Sequence, residues 1–246
     1  MATTEVVGTV ATTAETRVAL HQLAVHVLAR RRHAVTGRFG LRPTPGGLGT
    51  PMFGEGEVVR VGGDALVVER DRDAFAEPIT TLARAAALVR VDLHEDFSVG
   101  RDTPPLADPD APLGLEEAAV RELGQWWALG AVLLDELVAG APEIVATTTA
   151  QLWPEHFDHA CVVTLVGDVK AYVGASPGDE YEPEPYLYVG PWGPERPGDP
   201  AYWNVPLGAV LRRADVGDDP LAFLRRGIEL LAMSPAAPGA GGPAPS

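Results

Sequence analysis

The 246-residue chain has one cysteine, one lysine and no apolar run long enough to cross a membrane. Cys161 alone cannot form an intramolecular disulfide, which predicts a reducing cytoplasm as the setting. A membrane-spanning helix needs roughly 20 apolar residues, so we expect no membrane segment. Residues 1–5 lack the basic start and the apolar stretch of a secretory signal, so we expect none.

Positive charge is scarce: 19 basic residues face 34 acidic ones, and the net charge is −15. Such a field repels nucleic acids and anionic membrane surfaces, so we expect neither as a partner. The one basic run, Arg30-Arg31-Arg32-His33, closes a predicted helix. We interpret it as complementing the helix dipole rather than as an anion-binding patch. His21 and His26 on the same helix show no partner spacing and are interpreted as structural or exposed.

Apolar periodicity predicts the regular elements of the first half. A capping box at Thr12 opens a helix whose apolar residues recur to about Arg32. Residues 43–51, rich in proline and glycine, are predicted to be irregular. Valine-rich runs on either side of Gly62-Gly63-Asp64 predict a hairpin, and residues 81–91 predict a second helix.

The second half is predicted to hold the longest helix and several strands. Residues 115–137 carry an apolar stripe at helical spacing, and residues 220–233 are predicted to form a closing helix. Between these helices, strands are predicted at residues 147–152, 159–166, 169–173, 185–189 and 206–212.

These elements predict an α+β fold with antiparallel sheets flanked by helices. We predict an N-terminal half over residues 12–97, a Pro/Asp-rich linker over 98–114 and a C-terminal half over 115–233. Because both halves run helix, strands, helix, the sequence is consistent with one compact unit or with two similar halves. Residues 234–246, mostly Pro, Gly, Ala and Ser, are predicted to be disordered.

The segment Trp153-x-x-x-Phe157-Asp158-x-Ala160 resembles part of a bacterial domain family of unknown function. Further matching features follow in the same order, namely Gly174, Pro177-Gly178, Tyr186-x-Tyr188 with Pro191, and Asp219-Pro220 before Phe223-Leu224. The resemblance covers most of the chain and implies a location for a site but no activity. Glu155, His156 and His159 stand where the family has small or apolar residues, so the resemblance assigns them no role.

Titratable and aromatic side chains are densest around Glu155, His156 and Asp158. Such mixing is what ligand and catalytic sites need, so these three residues are our candidate catalytic groups. An alternative is a metal site of His156, His159 and a carboxylate. On a strand, however, the two histidines would face opposite sides. The plainer interpretation is a strand-entry turn capped by Asp158.

Aromatic residues make up only 7% of the chain, yet eight of its ten tyrosines and tryptophans lie within residues 153–203. Such side chains combine apolar bodies with polar tips and suit a small-molecule pocket. Tyr186 and Tyr188 share a face of a predicted strand, so we expect them to line a pocket together or to pack together. Trp153 is a further candidate ligand contact, and Arg38 and Arg42 are candidates to clamp an anionic group. A sheet core is the alternative role for the aromatic residues.

We therefore predict a small-molecule-binding protein, with or without catalysis. Its pocket would combine the turn at residues 153–159, the strand of Tyr186 and Tyr188, and the loop at residues 38–50. A second hypothesis is a metal-dependent hydrolase that uses His156 and His159. A third is a non-enzymatic interaction protein that forms a homodimer through exposed aromatic residues. No pattern in the chain indicates an organic cofactor.

Overall fold

The computed structural model describes residues 13–71, 73–94 and 96–233. The capping box predicted at Thr12 and the disorder predicted for residues 234–246 lie outside the described residues. The described chain folds into two compact units. The first takes the residues up to Ala128 together with Leu152–Phe157, and the second takes Leu129–Gln151 and the residues from Asp158 onward. Among the described residues, no helix combines the length and the apolarity that crossing a membrane requires.

Each unit contains helices and an antiparallel sheet, which confirms the predicted α+β class. The helical elements are α1 (Thr13–Leu23), a π-helical segment (Ala24–Ala29), α2 (Arg30–Thr36), α3 (Leu82–Val89), α4 (Glu117–Gly140), a 3-10 turn (Arg213–Asp215) and α5 (Pro220–Ala232). The strands are β1 (Arg42–Thr44), β2 (Gly47–Gly49), β3 (Val58–Gly62), β4 (Ala65–Arg70), β5 (Asp73–Pro78), β6 (Ile144–Thr147), β7 (Gln151–Trp153), β8 (Asp158–Leu165), β9 (Lys170–Ser176), β10 (Tyr186–Pro191) and β11 (Ala209–Arg212).

Strands that are close in sequence are neighbours in both sheets. The first sheet has the order β1-β2-β3-β4-β5, and the main path of the second has the order β11-β10-β9-β8-β6. The pairs along both paths are antiparallel. In each unit a helical element precedes the strands and another follows them. Such local pairing needs no long crossover connection.

The first helical stretch is continuous from α1 through the π-helical segment to α2. All six residues of the π-helical segment are buried, His26 included. π-helical turns inside α-helices are rare, and those that do occur are often found at functional sites. The stretch ends at Gly37, whose φ of 70° provides a left-handed C-cap.

A glycine pair brings α4 close to the first sheet. A Cβ placed on Gly124 of α4 would lie 2.8 Å from the Cα atom of Gly47 in β2. A side chain at position 124 would therefore push the helix away from the strand. One turn further along, Trp127 is fully buried in the core of this unit.

A buried carboxylate joins the first helical stretch to the sheet. Glu57 accepts two hydrogen bonds of 2.8 Å from Arg31 and one of 2.9 Å from Nε of Arg70. Burial alone would raise the pKa of Glu57, but the two guanidinium groups outweigh it and lower that pKa. The carboxylate is therefore held in its charged form.

The prediction that residues 43–51 are irregular is wrong. Arg42–Thr44 and Gly47–Gly49 pair as the antiparallel hairpin β1–β2. Gly46 in its turn has a φ of 79°, which glycine adopts without strain. Pro43 is accommodated because β1 lies at the edge of the sheet, where a missing N–H breaks no ladder.

Residues 98–114, predicted as a linker, form a surface loop of the first unit without helix or strand. The carbonyl of Pro105 accepts a hydrogen bond of 3.0 Å from the side chain of Gln22, and the N–H of Leu113 donates to the carbonyl of Thr80 at 2.8 Å. These bonds tie the loop to the first unit, and the two compact units meet in sequence within α4.

The second sheet buries one face against helices of its own unit. A Cβ on Gly130 of α4 would touch Ala175 of β9, and one on Gly227 of α5 would lie 2.9 Å from Val189 of β10. The fully or nearly buried residues on this face include His159, Cys161, Val163, Val173, Ala175, Leu187 and Val189. The strand register places Asp158, Gly174, Tyr186 and Tyr188 on the opposite face.

Candidate functional site

The turn at Trp153–Phe157 is built into the core of the first unit. The N–H of Phe157 donates to the carbonyl of Trp153 at 2.7 Å, and Phe157 has a φ of 58°. Its ring stacks on His21 with a centroid separation of 4.6 Å, and its carbonyl accepts from the indole N–H of Trp127 at 3.3 Å. Burial lowers the pKa of His21 to about 4, so this imidazole packs in its neutral form.

Of the predicted catalytic residues in this unit, Glu155 and His156 are neighbours in space. Nε2 of His156 lies 3.5 Å from Glu155, and its Nδ1 lies 3.9 Å from Asp102. The side chain of His156 is half exposed, and that of Glu155 is largely covered. The predicted ligand contacts Arg38 and Arg42 are both exposed. Their predicted roles, like that of Trp153, stay predictions.

In the second unit the predicted residues Asp158 and Tyr188 meet. The hydroxyl of Tyr188 donates to a carboxylate oxygen of Asp158, which is buried. Burial and the neighbouring Asp158 carboxylate hold the pKa of the Tyr188 hydroxyl well above its ordinary value. The hydroxyl therefore serves as a hydrogen-bond donor and does not ionise near neutral pH.

Tyr186, on the same sheet face, packs beside Tyr188 with a ring-centroid separation of 6.0 Å. Its hydroxyl donates to Asp179 at 2.6 Å, and burial followed by this bond raises its pKa. Asp179 also accepts from the backbone N–H groups of Tyr181 and Glu182 at 2.8 and 2.9 Å. Both tyrosines thus use their hydroxyl groups within the unit.

His159 and Cys161 lie on the buried face of β8. Burial lowers the pKa of His159 to about 4 and raises the pKa of Cys161. Among the described residues, no group of three or more His, Cys, Asp or Glu side chains is placed to hold a metal ion.

A cavity of about 290 Å³, here called the His26 cavity, lies in the first unit and is lined by residues of the helical stretch and of the loop at residues 96–106. Its polar and aromatic lining includes His26, Arg30, His94, Asp96, Phe97 and Arg101. None of the eight predicted site residues lines this cavity. The sequence therefore predicts a site in a different place.

His26 is 3% exposed and makes one hydrogen bond across the unit. Its Nε2 lies 3.0 Å from the carbonyl oxygen of Pro104. A carbonyl only accepts, so Nε2 carries the hydrogen. Burial, assisted by the charge of Arg30, lowers the pKa of His26, so the ring is neutral and Nδ1 is a lone-pair acceptor. This Nδ1 is buried and has no hydrogen-bond partner among the described residues.

Arg30 follows His26 by one helical turn and is 7% exposed. Its guanidinium carbon lies 5.3 Å from the ring centroid of Phe97, within the range of a cation–π contact. Phe97 also meets His33 edge to face at 5.6 Å. The ring thus anchors the loop at residues 96–106 to the helix and fixes the guanidinium at the cavity.

Gln22 holds the far side of the same loop with both ends of its amide. Its Nε2 donates to the carbonyl of Pro105 at 3.0 Å, and its Oε1 accepts from the N–H of Ala107 at 2.9 Å. The hydroxyl of Thr103 closes a turn by donating to the carbonyl of Gly100 at 2.7 Å. Because polar contacts of this kind orient the backbone, the wall of the cavity is fixed by the fold.

The sequence contains one signal for this site. His26 lies inside an otherwise apolar stretch and precedes Arg30 by four residues, a spacing that puts both on one helix face. Comparison with protein families, with curated proteins and with solved structures gives no match for this chain.

Proposed function

We propose that the protein binds a small organic molecule in the His26 cavity. The observation that supports this is a cavity of about 290 Å³ whose lining combines His26, Arg30 and Phe97. A concave site with a few convergent polar groups is where a small-molecule ligand is expected to bind. The π-helical segment that carries His26 agrees with a functional position.

The size of the cavity limits the ligand. Its volume of about 290 Å³ is at the lower end for ligand sites. At about 30 Å³ for a water-sized group, it holds about ten non-hydrogen atoms. We therefore propose a metabolite-sized ligand rather than a nucleotide or a peptide.

The proposal keeps the predicted small-molecule function and places it in a different cavity. Catalysis by Glu155, His156 or Asp158 stays a prediction. We also infer a cytoplasmic protein, which is supported by a single cysteine that is free and buried.

The proposal is tested by thermal melting of the full chain against a diverse set of compounds with about ten non-hydrogen atoms or fewer. We expect at least one compound to raise the melting temperature of the wild type, because ligands that bind the folded state stabilise it. The same compound should have no effect on His26→Phe, which keeps a ring but removes both nitrogens.

His159→Phe is the matched control, because His159 is also buried and its Nδ1 also lacks a hydrogen-bond partner among the described residues. His159 belongs to the second unit and does not line the cavity. The compound should still stabilise this variant. A stabilising compound that acts equally on His26→Phe, or a set without any stabilising compound, would contradict the proposal.

A second candidate function, a homodimeric interaction protein, is supported by an exposed aromatic pair in the second unit. Tyr172 is 48% and Trp192 is 54% exposed, and their ring centroids are 5.5 Å apart. Nζ of Lys170 lies 5.4 Å from the Trp192 centroid. Sedimentation should then show a dimer for the wild type and a monomer for Trp192→Ser; a wild-type monomer at all concentrations would exclude this function.

A further inference from the structure

We infer that the edge strand β6 is a self-association surface, which pairs antiparallel with β6 of a second copy of this chain about a two-fold axis at Thr147. The inference is independent of the ligand proposed for the His26 cavity. It also concerns a different surface from the Tyr172–Trp192 pair, because it rests on backbone hydrogen-bonding groups at the edge of the second sheet.

The backbone of Thr147 is open at this edge. The N–H of Thr148 donates to the carbonyl of Val162 on β8, and the N–H of Val162 donates to the Thr148 hydroxyl, both at 2.9 Å. Backbone groups of successive strand residues point to alternate sides, so the N–H and the carbonyl of Thr147 point away from β8. Among the strands of the described residues, only β8 pairs with β6, and Thr147 is exposed.

The opposite edge of the same sheet is capped by a side chain. At β11 the amide of Asn204 donates to the carbonyl of Val210 and accepts from its N–H, both at 2.9 Å. The amide therefore occupies the backbone groups that an added strand would use. Because β11 and β6 end the main path of this sheet, head-to-tail growth through its two edges is blocked. Pairing of β6 with itself closes at two copies.

The edges of the first sheet carry residues that hinder strand pairing, whereas β6 does not. Strand β1 contains Pro43, and β5 contains Asp73, Glu77 and Pro78. Proline and charge are common protections of an exposed edge. Residues 144–150, Ile-Val-Ala-Thr-Thr-Thr-Ala, have neither, and most of them are β-branched residues that favour strands.

A second copy fits this edge because the edge is complementary to itself. In the two-fold pair, Thr147 exchanges both backbone hydrogen bonds with Thr147 of the partner subunit, and Ala146 faces Thr148 of the partner subunit. Facing threonines stabilise a sheet. Although the chain has a net charge of −15, residues 144–150 bring no like charges opposite each other. The segment that pairs is therefore free of the repulsion that the rest of the chain would add.

The length of the edge sets the expected affinity. The register to β8 shifts between Ile144 and Ala146, which leaves a regular edge of about five residues, or about 17 Å. Such an edge buries less than the roughly 1,200 Å² of a stable complex, so we expect a Kd of about 10–100 µM. Sedimentation velocity of the full chain between about 5 and about 300 µM should show a monomer that converts to a dimer.

Charge variants assign the dimer to Thr147. Thr147→Lys and Thr147→Glu should each dimerise about fivefold more weakly or worse, because like charges then face each other across the axis. An equimolar mixture of the two variants should recover the association, because opposite charges then face each other. Leu207→Lys is the matched control: Leu207 is 78% exposed and lies two residues before β11, so this variant should dimerise as the wild type does.

Hydrogen exchange of the wild type tests the same edge without a substitution. The amide of Thr147 should exchange more slowly at about 300 µM than at about 5 µM, because the dimer occupies it. The amide of Val210 is already bonded to Asn204, so its exchange should not depend on concentration. This measurement decides the question if the Thr147 variants fail to fold.

The inference is overturned if the wild type stays monomeric over this range or grows beyond a dimer. It is also overturned if both Thr147 variants dimerise as the wild type does, or if their mixture associates no better than each alone. Trp192→Ser distinguishes this edge from the aromatic pair of the second candidate function. Under the present inference it keeps the dimer, and a monomeric Trp192→Ser beside dimeric Thr147 variants would place the interface at the aromatic pair instead.

Discussion

The ring of Tyr188 crosses strand β9 directly over Gly174. The two residues are paired in the register of β10 and β9, and a Cβ on Gly174 would lie 2.7 Å from the Tyr188 hydroxyl oxygen. The missing side chain at position 174 lets the tyrosine reach Asp158 on β8, one strand beyond its own neighbour. A glycine thus makes room for a hydrogen bond that spans three strands.

We predict that Gly174→Ala lowers the free energy of unfolding by about 1–3 kcal/mol, because the added methyl group displaces the Tyr188 ring. Urea unfolding measures the change. Gly190→Ala is the matched control on β10: its Cβ would meet nothing closer than 3.6 Å, an ordinary contact. Equal stability of Gly174→Ala and the wild type would contradict this account of the glycine.

Removing the hydroxyl alone should also cost stability. Tyr188→Phe leaves the buried carboxylate of Asp158 without its tyrosine donor, so we expect a loss of about 1–3 kcal/mol in the free energy of unfolding. Tyr172→Phe, on the same sheet face but about half exposed, should change it by less than about 0.5 kcal/mol. If the two variants lose the same free energy of unfolding, the hydrogen bond to Asp158 makes no specific contribution to stability.

Substitution of the buried carboxylate in the first unit should cost more stability than substitution of a surface carboxylate. Glu57→Gln removes the charge that neutralises Arg31 and Arg70, and we expect a loss of about 3 kcal/mol. Glu69→Gln breaks the more exposed pair with Arg60 and should cost less than about 1 kcal/mol. Chemical denaturation of both variants measures the two losses in the free energy of unfolding. A larger loss for Glu69→Gln than for Glu57→Gln would refute the prediction.

His159 should make the protein less stable in acid. Burial lowers its folded-state pKa from 6.5 to about 4. Below pH 6.5 the unfolded chain therefore binds a proton that the folded one does not. Stability contributed by the neutral ring is present above pH 6.5 and is lost as the pH falls towards about 4, by about 3 kcal/mol in all.

His159→Phe should therefore lose less stability than the wild type between about pH 7 and about pH 4.5, by about 2–3 kcal/mol. Unfolding in urea at both pH values gives the difference. The exposed His156→Phe serves as the comparison and should keep the wild-type difference. A wild-type pH dependence in His159→Phe would show that this imidazole accepts a proton in the folded state.

Periodicity in the sequence predicts the elements that have one buried face. The apolar stripe of α4, the hairpin β3–β4 and strands β8 to β10 are confirmed with boundaries shifted by a few residues. Strand β5 (Asp73–Pro78) carries no such pattern, because it is an edge strand whose residues are mostly exposed. Hairpin β1–β2 is not predicted because Pro43 and three glycines are atypical of strands. These residues fit at this edge because the neighbouring strand lies close to it, which the sequence alone does not show.

The candidate site is harder to predict than the fold. That Tyr186 and Tyr188 share a sheet face follows from their spacing, and the structure confirms it. The partner of Tyr188 lies 30 residues away in sequence, and the carbonyl that fixes the tautomer of His26 lies 78 residues away. No local pattern encodes such pairs, and Pro104 contributes only a backbone atom that every residue has.

The π-helical segment at Ala24–Ala29 also sets how α1 and α2 are rotated relative to each other about the helix axis. Relative to an α-helix, a π-helical turn accommodates one extra residue, and each α-helical residue advances by about 100°. Deleting one residue here would let an unbroken α-helix form. That deletion would leave α1 and α2 in nearly the same rotational phase, whereas converting all six residues to α-helix would turn them about 100° relative to each other. With all six residues α-helical, the helix would remain intact, but Gln22, on one side of the segment, and Arg30, on the other, would no longer contact the same loop.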